Sequence, residues 1–125
     1  MAITKTITID GQEVTFKASA AMPRLYRARF GRDLFKDLDL LIAGFKENDE
    51  SNSMMPIESL EAFENISFIM ARYADPTIPD DPMKWLDRFE VFSIYNVLPQ
   101  ILQLWGLNVE TDSESKKKPE AATDP

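Results

Sequence analysis

Polar and apolar residues alternate strictly in the first part of the chain. Isoleucines alternate with threonines up to Asp10-Gly11, and apolar residues alternate with polar ones after this dipeptide. Asp-Gly readily takes the positive φ angles of a tight two-residue turn. The pattern therefore predicts a β-hairpin over residues 3–18, with one apolar face that must pack on other elements.

After residue 22, apolar residues recur at three- and four-residue steps, which is the spacing of amphipathic helices. Proline in first turns, aspartate at caps and glycine after last turns mark the helix boundaries. The helices predicted from these signals span about 23–30, 34–45, 56–74, 82–89 and 91–105. Pro99 lies inside the last of them and predicts a kink or a late helix start.

Two segments carry no helical or strand pattern. Residues 46–56 are polar and end in proline, which predicts a mobile loop. Residues 109–125 contain no apolar run and are predicted to form a disordered tail. The sequence thus predicts a single domain over 1–108 of the mainly α (α+β) class. In it, an N-terminal β-hairpin packs on a bundle of about five helices.

Three features predict surface that a protein partner would cover. Phe68 lies alone on the charged side of the third helix, and Met54 and Met55 lie at the edge of the polar loop. The last helix has a polar strip without any charge, which is typical of interfaces. The strip consists of Ser93, Asn96, Gln100 and Gln103. A strand or loop of the same domain covering this strip would explain it equally well.

Composition excludes several kinds of chemistry. The 125 residues include no cysteine and no histidine, which excludes disulfides, thiolate nucleophiles and imidazole catalysis. Pairs such as Glu61/Glu64 and Asp80/Asp81 have no partner that would complete a catalytic or metal site. We therefore expect no enzymatic activity, no catalytic residue, no metal and no cofactor. The longest uncharged run, between Glu90 and Glu110, is interrupted by polar residues, so no membrane span is predicted.

Charge is distributed unevenly along the chain. The net charge is −7, from 14 basic and 21 acidic residues, yet residues 1–36 contain seven basic and three acidic residues. Arginines at 24, 27, 29 and 32 alternate with aromatics and suggest an alternative function, a small regulatory adaptor or nucleic-acid-binding protein that uses this first helix. An acidic protein rarely binds nucleic acid, and the arginines could instead face the acidic half of the same fold.

Two stretches carry a resemblance to a known family. They read KASAAMPRLYRARFGRDLFKDL over 17–38 and WLDRFEVFSIYNVLPQILQLWGLN over 85–108. With the opening IDGQEVTFKAS, the chain resembles the tail assembly chaperones of long-tailed phages and of prophages in Gram-positive bacteria. The similarity covers most of residues 3–108 and weakens over 46–56.

The resemblance implies a non-enzymatic role in viral tail morphogenesis. Members of the family coat the long, aggregation-prone tape measure protein in the host cytoplasm until tail tube subunits polymerise around it. They are absent from the finished virion. An acidic, adaptable helical protein suits such a task, because apolar contacts hold amphipathic helices while net charge keeps the complex soluble.

The resemblance also suggests a role for the codons of three consecutive lysines, Lys116-Lys117-Lys118. Lysine codons are adenine-rich, and ribosomes slip on such runs. Many chaperone genes of this family end near a slippery site, which yields a minor elongated product whose extension recruits tail tube subunits. The lysines therefore predict programmed ribosomal frameshifting. A solubilising charge run in a disordered tail is the alternative.

Overall fold

The elements follow one another as a hairpin and then a series of helices. A computed structural model of the chain describes residues 2–51, 56–90 and 93–106. It contains β1 (Ile3–Ile9), β2 (Gln12–Ala18), α1 (Met22–Phe30), α2 (Leu34–Ser51), α3 (Ile57–Ala74), α4 (Pro82–Leu86), a 3₁₀ turn (Tyr95–Val97) and α5 (Leu98–Leu104). The predicted class, a mainly helical fold with an N-terminal hairpin, is confirmed.

The hairpin turn has the geometry that Asp-Gly predicts. Ile9 pairs with Gln12, so Asp10 and Gly11 form a two-residue turn, with φ angles of 54° and 75°. Positive φ at both positions matches the right-handed twist of the two strands. The Asp10 carboxylate also accepts a hydrogen bond from the Glu90 amide at 2.6 Å, which ties the turn to the C-terminal half of the fold.

One face of the hairpin is buried and the other is exposed. The threonines point outward, and the hydroxyls of Thr6 and Thr15 lie 2.8 Å apart across the strands. The inner face packs mainly on α3. Its buried residues are Ile7, Ile9, Val14, Phe16 and Ala18, which join the main core cluster. Packing on α3 stabilises a two-stranded ribbon that would be marginal alone.

Capping signals place α1 and α2. Gly31 takes the left-handed conformation, with φ 67°, and its amide donates to the Arg27 carbonyl at 2.8 Å. The Asp33 side chain then accepts from the Phe35 amide at 2.9 Å, which caps the start of α2. Asp81 caps α4 in the same way, through the Met83 amide at 3.0 Å. These predicted boundaries are confirmed.

Helix α2 is longer than the apolar pattern indicates. It runs to Ser51, whereas we predicted a loop from residue 46, so the prediction is wrong for 46–51. The stretch reads KENDES, in which one lysine and two glutamates favour helix although they extend no apolar pattern. Loss of apolar periodicity therefore did not mark the end of the helix. Met54 and Met55 lie outside the described residues.

The C-terminal segment is not one continuous helix. A turn and the 3₁₀ turn Tyr95–Val97 precede α5, and Pro99 lies in the first turn of α5. Proline lacks an amide hydrogen and clashes with a preceding helical turn, so the late start is the alternative that the structure confirms. The predicted tail over 109–125 lies outside the described residues.

Phe68 is a core residue, so its predicted exposure is wrong. Its exposed fraction is 0%, and its ring packs at 6.0 Å from the ring of Trp85. The Arg29 guanidinium lies 5.5 Å from the centre of the Phe68 ring, on the side of α3 that the sequence pattern predicts to be polar. A helical wheel assumes one buried face, but α3 contacts β2, α1, α2 and α4 and is therefore covered on more than one side.

Candidate interaction surface

The four residues of the predicted polar strip do not form one continuous surface. Asn96 and Gln103 are exposed, whereas Ser93 and Gln100 are half-buried. Ser93 lies near the hairpin turn, where its hydroxyl and the Glu90 amide lower the pKa of the Asp10 carboxyl by hydrogen bonding. Only Gln100 and Gln103 come together, because both lie on α5.

Gln100 and Gln103 line a cleft between α5 and the beginning of β1. We name it the polar cleft, and it is lined by Thr4, Lys5, Gln100, Gln103 and Leu104, with Ile3 at one end. A strand of the same domain therefore accounts for part of the uncharged strip. The cleft nevertheless remains open to solvent, with a volume of about 340 Å³.

A second depression, the apolar groove, adjoins the polar cleft. Its volume is about 360 Å³, and its apolar lining consists of Ile3, Ala18, Ala20, Pro23, Phe35, Leu104 and Trp105. These residues lie at or beside the ends of five elements, β1, β2, α1, α2 and α5. Ile3 and Leu104 line both depressions, so the groove and the cleft form one continuous surface.

Two large side chains of the groove are exposed to an unusual degree. Ile3 is 55% exposed and Phe35 is 59% exposed. Ile3 lies at the start of the inner face of β1, where this strand approaches α5. Phe35 follows Leu34, which is 1% exposed and takes the inward position at the start of α2. Exposed apolar side chains grouped in a concave site mark interaction surfaces.

Sequence reasoning missed these groove residues because it assigned each of them to a core face. Ile3 belongs to the alternating strand pattern, and Trp105 lies on the apolar half of the last helix. One signal was available at Leu34-Phe35. Two adjacent helical residues differ by about 100° in direction, so they rarely both face a narrow core. Such a pair at the start of a helix indicates that one member is exposed.

The surface carries charge of one sign only. In the part of the chain that the structure describes, Lys5 is the only charged residue that lines the apolar groove or the polar cleft, and no carboxylate there lines either of them. This contrasts with the whole chain, in which acidic residues outnumber basic ones by seven. The combined surface therefore offers apolar side chains, two amides and one ammonium group to a ligand.

The arginines of α1 and of the turn after it are partly occupied within the fold. Arg29 binds the Asp80 carboxylate at 2.7 Å, and Arg32 donates to both oxygens of Asp37 at 2.8 and 2.7 Å. Both acids belong to the acidic half of the chain. Arg24 and Arg27 are exposed. The expectation that arginines of this segment face acidic residues of the same fold thus holds for two of the four.

Asp37 is the centre of a buried polar cluster. It is 1% exposed, and it accepts hydrogen bonds from the Tyr26 hydroxyl and from Arg32. Burial by itself would raise the pKa of the Asp37 carboxyl. The hydrogen bonds from Arg32 and Tyr26 and the charge of Arg32 outweigh burial, so the pKa lies below its ordinary value. The cluster joins α1 to α2 just behind the groove residue Phe35.

A third cavity, of about 340 Å³, lies between β2, the end of α3 and α4 and contains Glu13, Asp75 and Arg88. The Asp75 carboxylate accepts hydrogen bonds from the Thr77 hydroxyl at 2.6 Å and from the Thr77 amide at 3.0 Å. These bonds lower the pKa of Asp75, whereas a general acid at neutral pH needs a raised one. The Asp75 carboxyl therefore does not have the raised pKa of a general acid.

Two other kinds of site are absent from the part of the chain that the structure describes. No group of three or more acidic residues there is arranged to hold a metal ion. No helix there is both long enough and apolar enough to cross a bilayer.

The chain matches no protein-family model, no curated protein and no solved structure. Its function is therefore inferred from the surface itself and from the sequence resemblance.

Proposed function

We propose that this chain is a non-enzymatic phage tail assembly chaperone that binds the tape measure protein and keeps it soluble during tail assembly. The observation that carries the proposal is the apolar groove, where Ile3 and Phe35 are both more than half exposed at the junction of five elements. The resemblance to tail assembly chaperones indicates that the ligand of the groove is the tape measure protein.

The groove suits an amphipathic helix for a physical reason. Such a helix presents an apolar stripe at i, i+3, i+4 and i+7, which fits a concave apolar surface. Ile3, Phe35 and Leu104 offer side chains of different shapes around the groove, so segments of varied sequence can be held by burial alone. Non-directional contacts of this kind are what a chaperone of a long helical protein needs.

The proposal includes the cellular setting that the family implies. The chaperone acts in the host cytoplasm during expression of the phage or prophage genes and leaves before the virion is complete. A frameshift near Lys116-Lys118 adds an extension that recruits the tail tube protein. A gene without a slippery heptamer at these codons would exclude the elongated product and leave tape measure binding unaffected.

Co-expression tests the proposal. The gene neighbourhood should contain a tail tube gene before this one and a very long helical open reading frame after it. Expressed alone, the product of that frame should be mostly insoluble, and with this chain it should be soluble and co-purify. Binding should persist at high salt, because apolar contacts are not screened.

Two results would overturn the proposal. One is a tape measure protein that stays insoluble, or soluble but unbound, in the presence of this chain. The other is tight binding to DNA or RNA that weakens steeply with added salt, which is the behaviour of a phosphate-binding surface.

A further inference from the structure

We infer that the helix accepted by this surface carries a carboxylate beside its apolar stripe, and that Lys5 binds this carboxylate. The inference rests on the proposed function and adds the charge chemistry of the bound segment to it. It derives from the position of Lys5, from the distribution of acids around the groove and from the continuity of the groove with the polar cleft.

Lys5 occupies an unusual place for a lysine. Its strand partner is Phe16, which is fully buried, so Lys5 belongs to the inner face of the hairpin together with Ile7 and Ile9. The side chain is half-buried where β1 approaches α5. Its ammonium group is not among the buried polar atoms without a partner, so the stem lies on the apolar face while the charge lies in the polar cleft, open to a carboxylate partner.

No such partner is present in the fold as described. Among the side chains that the structure describes, those of 2–44, 56–90 and 93–106, the ion pairs are those of Arg29 and Arg72 with Asp80 and of Arg32 with Asp37, and none includes Lys5. Among the residues that the structure describes, no acid lines the groove or the cleft around Lys5. Lys5 is therefore available to bind a carboxylate of a ligand, although the protein as a whole is acidic.

The geometry places Lys5 next to an occupant of the groove. Ile3, Leu104 and Gly106 line both the apolar groove and the polar cleft, and Lys5 lies in the cleft two residues along β1 from Ile3. A helix whose stripe contacts Phe35 and Ile3 therefore has one flank over the cleft. A glutamate at the edge of the stripe reaches Lys5, while the amides of Gln100 and Gln103 add neutral polar contacts.

Two synthetic helical peptides of about 18 residues test the inference. Both carry leucines at i, i+3, i+4 and i+7, and they differ only in having glutamate or glutamine beside this stripe. Their dissociation constants are measured by fluorescence anisotropy with the full chain, with Lys5→Met and with Lys84→Met. The first variant keeps the apolar stem of Lys5, and the second removes an exposed lysine that does not line the groove or the cleft.

The glutamate peptide should bind the wild-type chain about fivefold more tightly than the glutamine peptide, since its carboxylate makes a charge-assisted contact in a partly buried site. Lys5→Met should abolish this preference, so that the two peptides bind this variant with equal affinity. Lys84→Met should retain the preference. Added salt should reduce the preference but not the affinity for the glutamine peptide.

The outcomes separate two kinds of failure. Equal affinities of both peptides for the wild-type chain would overturn the role of Lys5 and leave the groove as a helix-binding site. No binding of either peptide would count against the proposed function as well. Tighter binding of both peptides after Glu110→Gln and Asp112→Asn would identify the chain's own C-terminal segment as the occupant. A dimer that dissociates when peptide binds would identify a second copy. Either result would overturn the inference.

Discussion

Phe35 and Phe68 show at the scale of single residues how helix position and burial can diverge. Phe35 lies on the apolar side of α2 by sequence and is 59% exposed, whereas Phe68 lies on the charged side of α3 and is 0% exposed. The difference follows from the neighbours of each helix. α3 is covered by several elements, while the start of α2 borders the open groove.

Alanine substitutions should show that Phe68 contributes more to stability than Phe35, the opposite of what the helical pattern suggests. Phe68→Ala should lower the free energy of unfolding by about 3–5 kcal/mol, because it leaves a cavity beside Trp85 and removes the contact with Arg29. Phe35→Ala should change it by no more than about 0.5 kcal/mol. Urea unfolding of both variants measures the difference, and similar losses of stability would contradict the assigned burial.

The Asp37 cluster should make stability depend on pH in the acid range. The pKa of Asp37 in the folded chain lies below the value of 3.8 expected for an unfolded chain. Its contribution is therefore fully present above about pH 3.8 and is lost as the pH falls through the lower, folded-state pKa. Asp37→Asn should lower the free energy of unfolding by about 2 kcal/mol at neutral pH.

The difference between wild type and Asp37→Asn should shrink as the pH falls below 3.8, which urea unfolding across a pH series measures. Asp39→Asn provides the matched control, because Asp39 is an exposed residue of the same helix. A difference that stays constant across this pH range would show that the Asp37 charge does not stabilise the fold.

At the scale of elements, local signals predicted most boundaries. Asp10-Gly11, Gly31, Asp33 and Asp81 each act through their own backbone or side-chain geometry, and the structure places turns and caps at all of them. The predicted bounds failed at the ends of two helices. α2 continues to Ser51 beyond its apolar pattern, and α4 ends at Leu86 and not at residue 89.

Two substitutions of Gly11 in the hairpin turn test its backbone conformation, because they should destabilise the fold to different extents. Gly11 has φ 75°, and a Cβ added there would meet no atom within 4 Å. The strain of Gly11→Ala is therefore confined to the backbone, and it should lower the free energy of unfolding by about 1–2 kcal/mol. Gly11→Asn should cost less, because asparagine tolerates the left-handed region. Equal costs in thermal unfolding would contradict this turn geometry.

At the scale of the whole molecule, the class of the fold follows from the sequence, but the groove does not. Ile3, Phe35 and Trp105 are separated by dozens of residues, and each has an ordinary place in its own element. They meet because five elements end in the same region. Periodicity describes one element at a time, so it predicted Phe68 as the exposed aromatic and missed Phe35. Gln100 and Gln103 were predicted correctly as neighbours, because they share a helix.

The affinity of the tape measure protein for Phe35→Asp tests the central claim most directly. An aspartate in the first turn of α2 is compatible with the helix, so this variant should remain folded, as circular dichroism would verify. Met83→Asp is the matched control, because Met83 is 66% exposed on α4 and does not line the groove. Phe35→Asp should weaken binding about tenfold or more, and Met83→Asp by about twofold at most. Wild-type affinity of a folded Phe35→Asp variant would contradict the claim that the groove binds the tape measure protein.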